Sequence, residues 1–173
     1  MRTSTKLFAG SFAIALVAAA LASRSAVRKD GPPALTATTV ECLERAIATA
    51  AAQVRETRAG STLSFGGCGA ESWDSFFVVS PYAHPRRQAE RLGLREASRL
   101  PNAGLGLGEM ECMLAFVHRG AVVGSLVVKR ALLDFSDHEI VHTLMPAATS
   151  LLLELREEFN GFTTLERVVA RRS

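Results

Sequence analysis

Charge is scarce in this chain and almost balanced. Asp, Glu, Lys and Arg make up only 21% of its 173 residues, and the formal net charge is +3. Residues 1–22 hold Arg2 and Lys6 and no acid, so the chain beyond them carries +1. A nearly neutral domain has little electrostatic reason to hold nucleic acid. Cysteine is scarce too. Cys42, Cys68 and Cys112 include no two at metal-ligand spacing, which argues against a cysteine-type zinc site. None stands directly after the first apolar run, which argues against a lipid-anchored precursor. There is no internal repeat and no sign of a second domain. With 48% hydrophobic residues, low charge also excludes extensive disorder. The roughly 150 residues after the first apolar run suffice for one domain with a real core.

That first run says where the chain is expected to work. Arg2 and Lys6 precede residues 7–21, which carry no charge, and Ala20-Leu21-Ala22 follows as a small-x-small triplet. This is the layout of a secretory signal. An apolar stretch of roughly fifteen residues is shorter than the twenty or so a spanning helix needs, so cleavage is the expectation. Arg24, Arg28 and Lys29 resist translocation just past the cut, so an uncleaved anchor is the alternative. The expected location is the periplasm, or the inner membrane facing it. In such an oxidising compartment three cysteines give one disulfide and one free thiol, with all three pairings open. The loop Gly66-Gly67-Cys68-Gly69 makes Cys68 the most exposed of the three by sequence.

Residues 23–37 read as a linker and 38–173 as a single domain. Thr38 or Thr39 is expected to cap a helix running to about Arg58, with Val40, Leu43, Ile47, Ala50, Ala51 and Val54 on one side. Short strands are expected over 61–65 and 75–80, and a short helix over 86–92 with Pro85 in its first turn. Residues 112–118 and 121–129 flank Arg119-Gly120 as a β-hairpin. Ser136 or Asp137 is then expected to cap a long apolar helix reaching Phe159 and interrupted in pattern by Pro146. Asn160-Gly161 would stop it, and Thr163 with Glu166 would open a final short helix as a capping box. The expected fold is α+β: a small antiparallel sheet with a central hairpin, packed against an N-terminal helix and a long C-terminal helix.

The middle of the chain resembles a group of small bacterial exported proteins and lipoproteins of uncharacterised function. The resemblance rests on Trp73-Asp74, the apolar run 76–79, Pro81-Tyr82, Leu92-Gly93, Phe116-Val117 with Gly120 and Val122, and Asp134-Phe135. It covers about a third of the chain and implies an α+β domain outside the cytoplasm, with nothing about chemistry. This chain departs from the group by lacking a lipid-attachment cysteine and by carrying the string His138-Glu139-Ile140-Val141-His142.

On a helix, that string sets two imidazoles one turn apart, able to share Zn2+, with the intervening carboxylate as general base. His138 and His142 would be the ligands and Glu139 the base of a metallopeptidase-like hydrolase. The third ligand is the difficulty. Glu154, Glu157 and Glu158 stand 12 to 16 residues past His142, which on a continuous helix is roughly 18 to 24 Å away. Only a break at Pro146 would fold them back. Glu166 is engaged by its capping box. Neutral, solvent-facing histidines near a helix start are the plainer reading.

Other patterns are weaker. Gly104, Gly106 and Gly108 precede a strand, so they are not a dinucleotide loop. Arg87, Arg91, Arg95 and Arg99 recur every fourth residue, but Gly93, Glu90 and Glu96 make this an ordinary solvated surface, with an anion-binding face as the alternative. Trp73 and Tyr82 bracket a strand, as structural cover for one end of a sheet or as a partner-binding edge. The leading expectation is a non-catalytic binding or envelope-accessory module with no cofactor and an unknown envelope partner or ligand. The alternatives are a small zinc-dependent hydrolase and an inhibitor or immunity-type protein.

Overall fold

The computed structural model describes residues 33–69, 71–101, 107–135, 140–159 and 164–172. Helix α1 (Ala37–Thr57) starts earlier than the sequence suggests. Thr36 has extended geometry, and its hydroxyl accepts the Thr39 N–H at 3.1 Å, which satisfies one of the open donors of the first turn. Thr39 is thereby inside the helix and buried. With Leu43, Ile47, Ala50, Ala51 and Val54 it forms the inward stripe, while Val40 is only half-buried. Arg58 ends the helix in the left-handed region at φ 55, at the residue where the sequence expects it to finish.

Strands β1 (Ser61–Ser64) and β2 (Ser75–Val79) follow, then helix α2 (Pro85–Arg91) and a 3-10 turn (Ala97–Arg99). Strands β3 (Glu111–His118) and β4 (Ala121–Lys129) form the expected hairpin. Arg119 and Gly120 both have positive φ, 49° and 73°, the turn whose twist matches its strands. Val123 stands as an extra residue in β4, because Phe116 faces Gly124 whereas Val117 faces Val122.

The C-terminal third overturns the expected fold. Instead of a long helix there are β5 (Met145–Pro146) and β6 (Ser150–Phe159), and instead of a final helix there is β7 (Thr164–Arg172). All strand pairs are antiparallel, in two sheets rather than one. Sheet I has the order β1-β6-β7 and sheet II the order β4-β3-β2-β5. The run Leu151-Leu152-Leu153-Glu154-Leu155 fits either period. Leu, Glu and Arg favour a helix intrinsically, but β6 is the central strand of sheet I. Pairing with both β1 and β7 places Leu151 and Leu153 in the core with Val168 and Ala170. Asn160-Gly161, read as a helix stop, lies outside the described residues. Pro146 sits on the short edge strand β5, a position that needs no N–H from it.

Sheet II is covered on both faces. Phe76, Val78, Cys112, Leu114 and Phe116 point into the main core, shared with α1 and with sheet I. Phe65, Trp73, Phe76 and Phe116 meet there edge to face or tilted, with ring centroids 5.0 to 6.4 Å apart. The alternate residues Phe77, Val79, Met113, Ala115 and Val117 face a second, smaller core under α2, Leu94, Leu100 and Leu107. Gln88 of α2 is buried and donates to the Val78 carbonyl at 2.7 Å, tying this cover to the strand. Arg55 donates to the carbonyls of Ala131 and Leu132 at 2.6 and 2.7 Å, holding the end of α1 to the connection after β4.

Cys42 and Cys68 form the disulfide, joining the first turns of α1 to the glycine-rich loop, with Cα atoms 5.5 Å apart. Cys68 is therefore buried, contrary to the exposure its loop suggested. Cys112 is the free thiol, buried in β3, and burial is the main cause that pushes its pKa up to about 11. The Phe135 N–H opposes that rise and the nearby Asp134 carboxylate adds to it. The oxidised native protein should thus show no thiol reactive toward Ellman's reagent, and one per chain after denaturation. Reduction should lower stability by about 3 kcal/mol for a cross-link spanning 26 residues. A second reactive thiol in the denatured, unreduced protein would sink the pairing.

Candidate functional site

Of the zinc-motif residues, His138 and Glu139 lie outside the described residues. His142 is exposed and has φ 71 in a turn, and Val141 beside it forms a parallel bridge with Val78. The helix that would set two imidazoles one turn apart is not formed at its second histidine. Of the glutamates weighed as a third ligand, Glu154 and Glu157 lie in β6 and Glu166 in β7. Among the described residues no group of three His, Cys, Asp or Glu side chains is placed to hold a metal.

Trp73 is fully buried, and its indole N–H donates to the Cys68 carbonyl at 2.9 Å. It anchors the disulfide loop over the aromatic cluster and offers no surface to a partner. Tyr82 is the opposite case: 68% exposed, with φ 60, its backbone N–H donating to the Leu107 carbonyl and its hydroxyl bonded to Glu109. The two residues do not share a surface.

Asp134 is the one buried carboxylate among the described residues. Arg130 donates to its Oδ2 from Nε at 2.9 Å and from Nη2 at 2.7 Å, and Arg167 Nη1 lies 3.6 Å away. Its backbone bonds to Val168 and Ala170, extending the edge of β7 by one bridge. This cluster joins the end of β4 to sheet I, and its polar atoms point at one another rather than into a cavity.

Asp74 holds the turn of the β3–β4 hairpin. Its carboxylate accepts the Arg119 N–H at 2.6 Å and the Ser75 hydroxyl at 2.8 Å, with His118 Nδ1 at 3.6 Å. Partial desolvation acts to raise its pKa. The Arg119 N–H, the Ser75 hydroxyl and His118 together outweigh it, so the net shift is downward.

One feature with room for a ligand among the described residues is a groove between α1 and β4. Ile47 and Ala48 on the helix face Leu126, Val128 and Leu132, enclosing a cavity of about 300 Å³ beside the exposed Glu44 and Lys129. Strand β4 is an edge of sheet II. Arg95 covers its first residues through bonds with Gly120 and Val122, and Leu35 covers the next by donating its N–H to the Val123 carbonyl at 3.2 Å. The Leu35 side chain packs over Gly124, where any Cβ would come within 2.9 Å of it. From Ser125 to Lys129 the edge has no strand partner among the described residues. Val127, 45% exposed there, is an apolar residue on the solvent side. Sequence reasoning passed over this groove, although Leu126-Val127-Val128 breaks the in-out alternation and was its one visible signal. A second groove of about 400 Å³ between α1 and β1 is more polar, lined by Arg45, Thr49, Gln53, Thr62 and Ser64.

No protein family, no curated protein and no solved structure matches this chain.

Substitutions at Arg130, Asp134 and Asp74 probe the electrostatics. Arg130→Met removes both Arg130 hydrogen bonds to a buried carboxylate and should cost about 3 kcal/mol in denaturant unfolding, whereas Arg130→Met with Asp134→Leu should cost distinctly less. Equal costs would mean that packing, not charge, sets the effect. For Asp74, a lowered folded-state pKa contributes stability that is present above its unfolded value, about 3.9, and is lost as pH falls through the folded value. Asp74→Asn should therefore melt below wild type at pH 7, with the gap closing on acidification below about pH 4. A gap independent of pH would sink the assignment.

Proposed function

We propose that this domain is a non-catalytic binding module of the cell envelope that takes up an extended apolar segment of a partner protein along β4. The observation that carries the reading is the open strand edge lying directly beside an apolar cavity. Main-chain bonds to an edge supply affinity, and pockets for alternate side chains supply selectivity. Leu35 performs the same act within the chain, adding one backbone bond to β4 and seating its side chain on Gly124. The partner strand would continue from that point over Ser125 to Lys129, placing a branched aliphatic side chain between Ala48 and Leu132. The Cys42–Cys68 disulfide supports an exported, oxidising location, either free in the periplasm or tethered to the inner membrane through residues 7–22.

The test is selection of random extended peptides displayed on phage against the oxidised full chain, followed by titration of an enriched synthetic peptide. Enriched sequences should alternate apolar with polar residues. Ala48→Trp, which fills the cavity, should weaken the enriched peptide by about tenfold or more, the worth of one buried aliphatic side chain. Enrichment indifferent to Ala48→Trp would overturn the reading. So would a dimer in sedimentation that Val127→Glu dissociates, since the edge would then serve a second copy.

A further inference from the structure

The outer cover of sheet II carries a charge that the rest of the domain does not. Residues 33–173 contain fifteen arginines and lysines against sixteen acids, a formal net charge of −1. Six of the arginines belong to one cover. Arg86, Arg87 and Arg91 lie in α2, Arg95 and Arg99 follow it, and Arg119 at the hairpin tip accepts a bond from Arg95 Nη2 through its carbonyl at 2.8 Å. The acids among them are Glu90, Glu96, Asp74 and Glu109, the last bonded to the Tyr82 hydroxyl. The cover is thus +2 and the remainder of the domain −3, an asymmetry in a chain whose overall charge is close to neutral.

The arrangement follows from burial. In α2 the residues Pro85, Gln88 and Ala89 turn inward onto sheet II, which leaves His84, Arg87, Glu90 and Arg91 on the outside. Arg87 and Arg91 stand four residues apart on that exposed face, with no ion-pair or hydrogen-bond partner among the described residues. Arg86 is used differently, donating to the carbonyls of Leu100 and Ser98 and pinning the loop beneath. Arg99 pairs with Glu96 at 3.8 Å. Tyr82, exposed, stands three residues before the helix, and tyrosine is a side chain that favours the headgroup layer of a membrane.

We propose that this arginine face rests on an anionic phospholipid bilayer. Guanidinium groups pair with headgroup phosphates in forked geometry. Basic residues held near an anionic surface add attraction roughly one by one, within a Debye length. A contact of this strength becomes stable when a second membrane signal accompanies it, and the uncharged run of residues 7–21 is the segment of this chain suited to that part. The face lies on the cover of sheet II, whereas the α1–β4 groove lies at that sheet's edge, so the inference is independent of the peptide reading.

The experiment measures partitioning of the full chain onto vesicles of phosphatidylglycerol with phosphatidylcholine and onto phosphatidylcholine alone, at low and high salt. The ratio of the two partition coefficients is the readout, because residues 7–21 act alike on both vesicles. Wild type should prefer the anionic vesicles, with the preference falling at high salt. Arg87→Glu with Arg91→Glu should cut the preference about tenfold or more. Arg45→Glu with Arg172→Glu makes the same charge change elsewhere and should leave most of the preference in place, and thermal melts confirm that both variants fold. Equal loss in the two variants would overturn the proposal in favour of overall charge alone. No preference in wild type would overturn it outright, and binding of a DNA duplex as tight as that of the anionic vesicles would overturn the commitment to a bilayer.

Discussion

Burial of β2 and β3 on both faces is the constraint on which the rest of this structure depends. Their side chains alternate between two cores, so neither face tolerates water, and each needs its own cover. One cover is large, made of α1 and sheet I around the ring cluster of Phe65, Trp73, Phe76 and Phe116. The other is thin, made of the two turns of α2 with Leu94, Leu100 and Leu107. The thin cover is fastened by polar bonds to backbone, from Gln88 to Val78 and from Arg86 to Leu100 and Ser98, where apolar area alone is small.

The large cover has an electrostatic difficulty of its own. Sheet I pairs Arg156 directly with Arg167 and Glu157 with Glu166, and like charges opposite one another destabilise a ladder. The chain answers from outside the hairpin. Arg58, just past the end of α1, reaches both glutamates at 3.4 and 2.7 Å, and Arg167 turns toward Asp134. The left-handed residue that terminates the helix is thus also the one that bridges the two facing glutamates.

Legibility of the sequence followed locality. Helix α1, strands β1 and β2, helix α2 and the β3–β4 hairpin are each specified by nearby signals: a threonine cap, a proline in the first turn, alternating apolar residues, and Arg119-Gly120. The C-terminal third was misread because its decisive information is remote. Leu151, Leu153 and Leu155 fit a helix until β1, some ninety residues earlier, claims β6 as its neighbour. The helix assumed for the zinc string is not formed at His142, while His138 and Glu139 lie outside the described residues. Trp73 could not be sorted from Tyr82 by type, since burial and not composition separates them. The groove was faintly visible as an apolar residue out of phase at Val127. The arginine face was visible as a pattern, and what the sequence lacked was the knowledge that Arg119 joins it from another element.

The remote pairing of β1 with β6 has a consequence for biosynthesis. Sheet I has its central strand last but one in the chain, and Ser61 waits for Leu153. A ribosome adds residues at roughly 5 to 20 per second, so the inward stripe of α1 stands uncovered by sheet I for on the order of 5 to 20 s. Through that interval α1 has only sheet II to pack on, and β1 has no strand to pair with. A chaperone that holds apolar helical segments until the last twenty-five or so residues arrive would act on this protein in that window, and a chain ending before β6 could not complete sheet I at all.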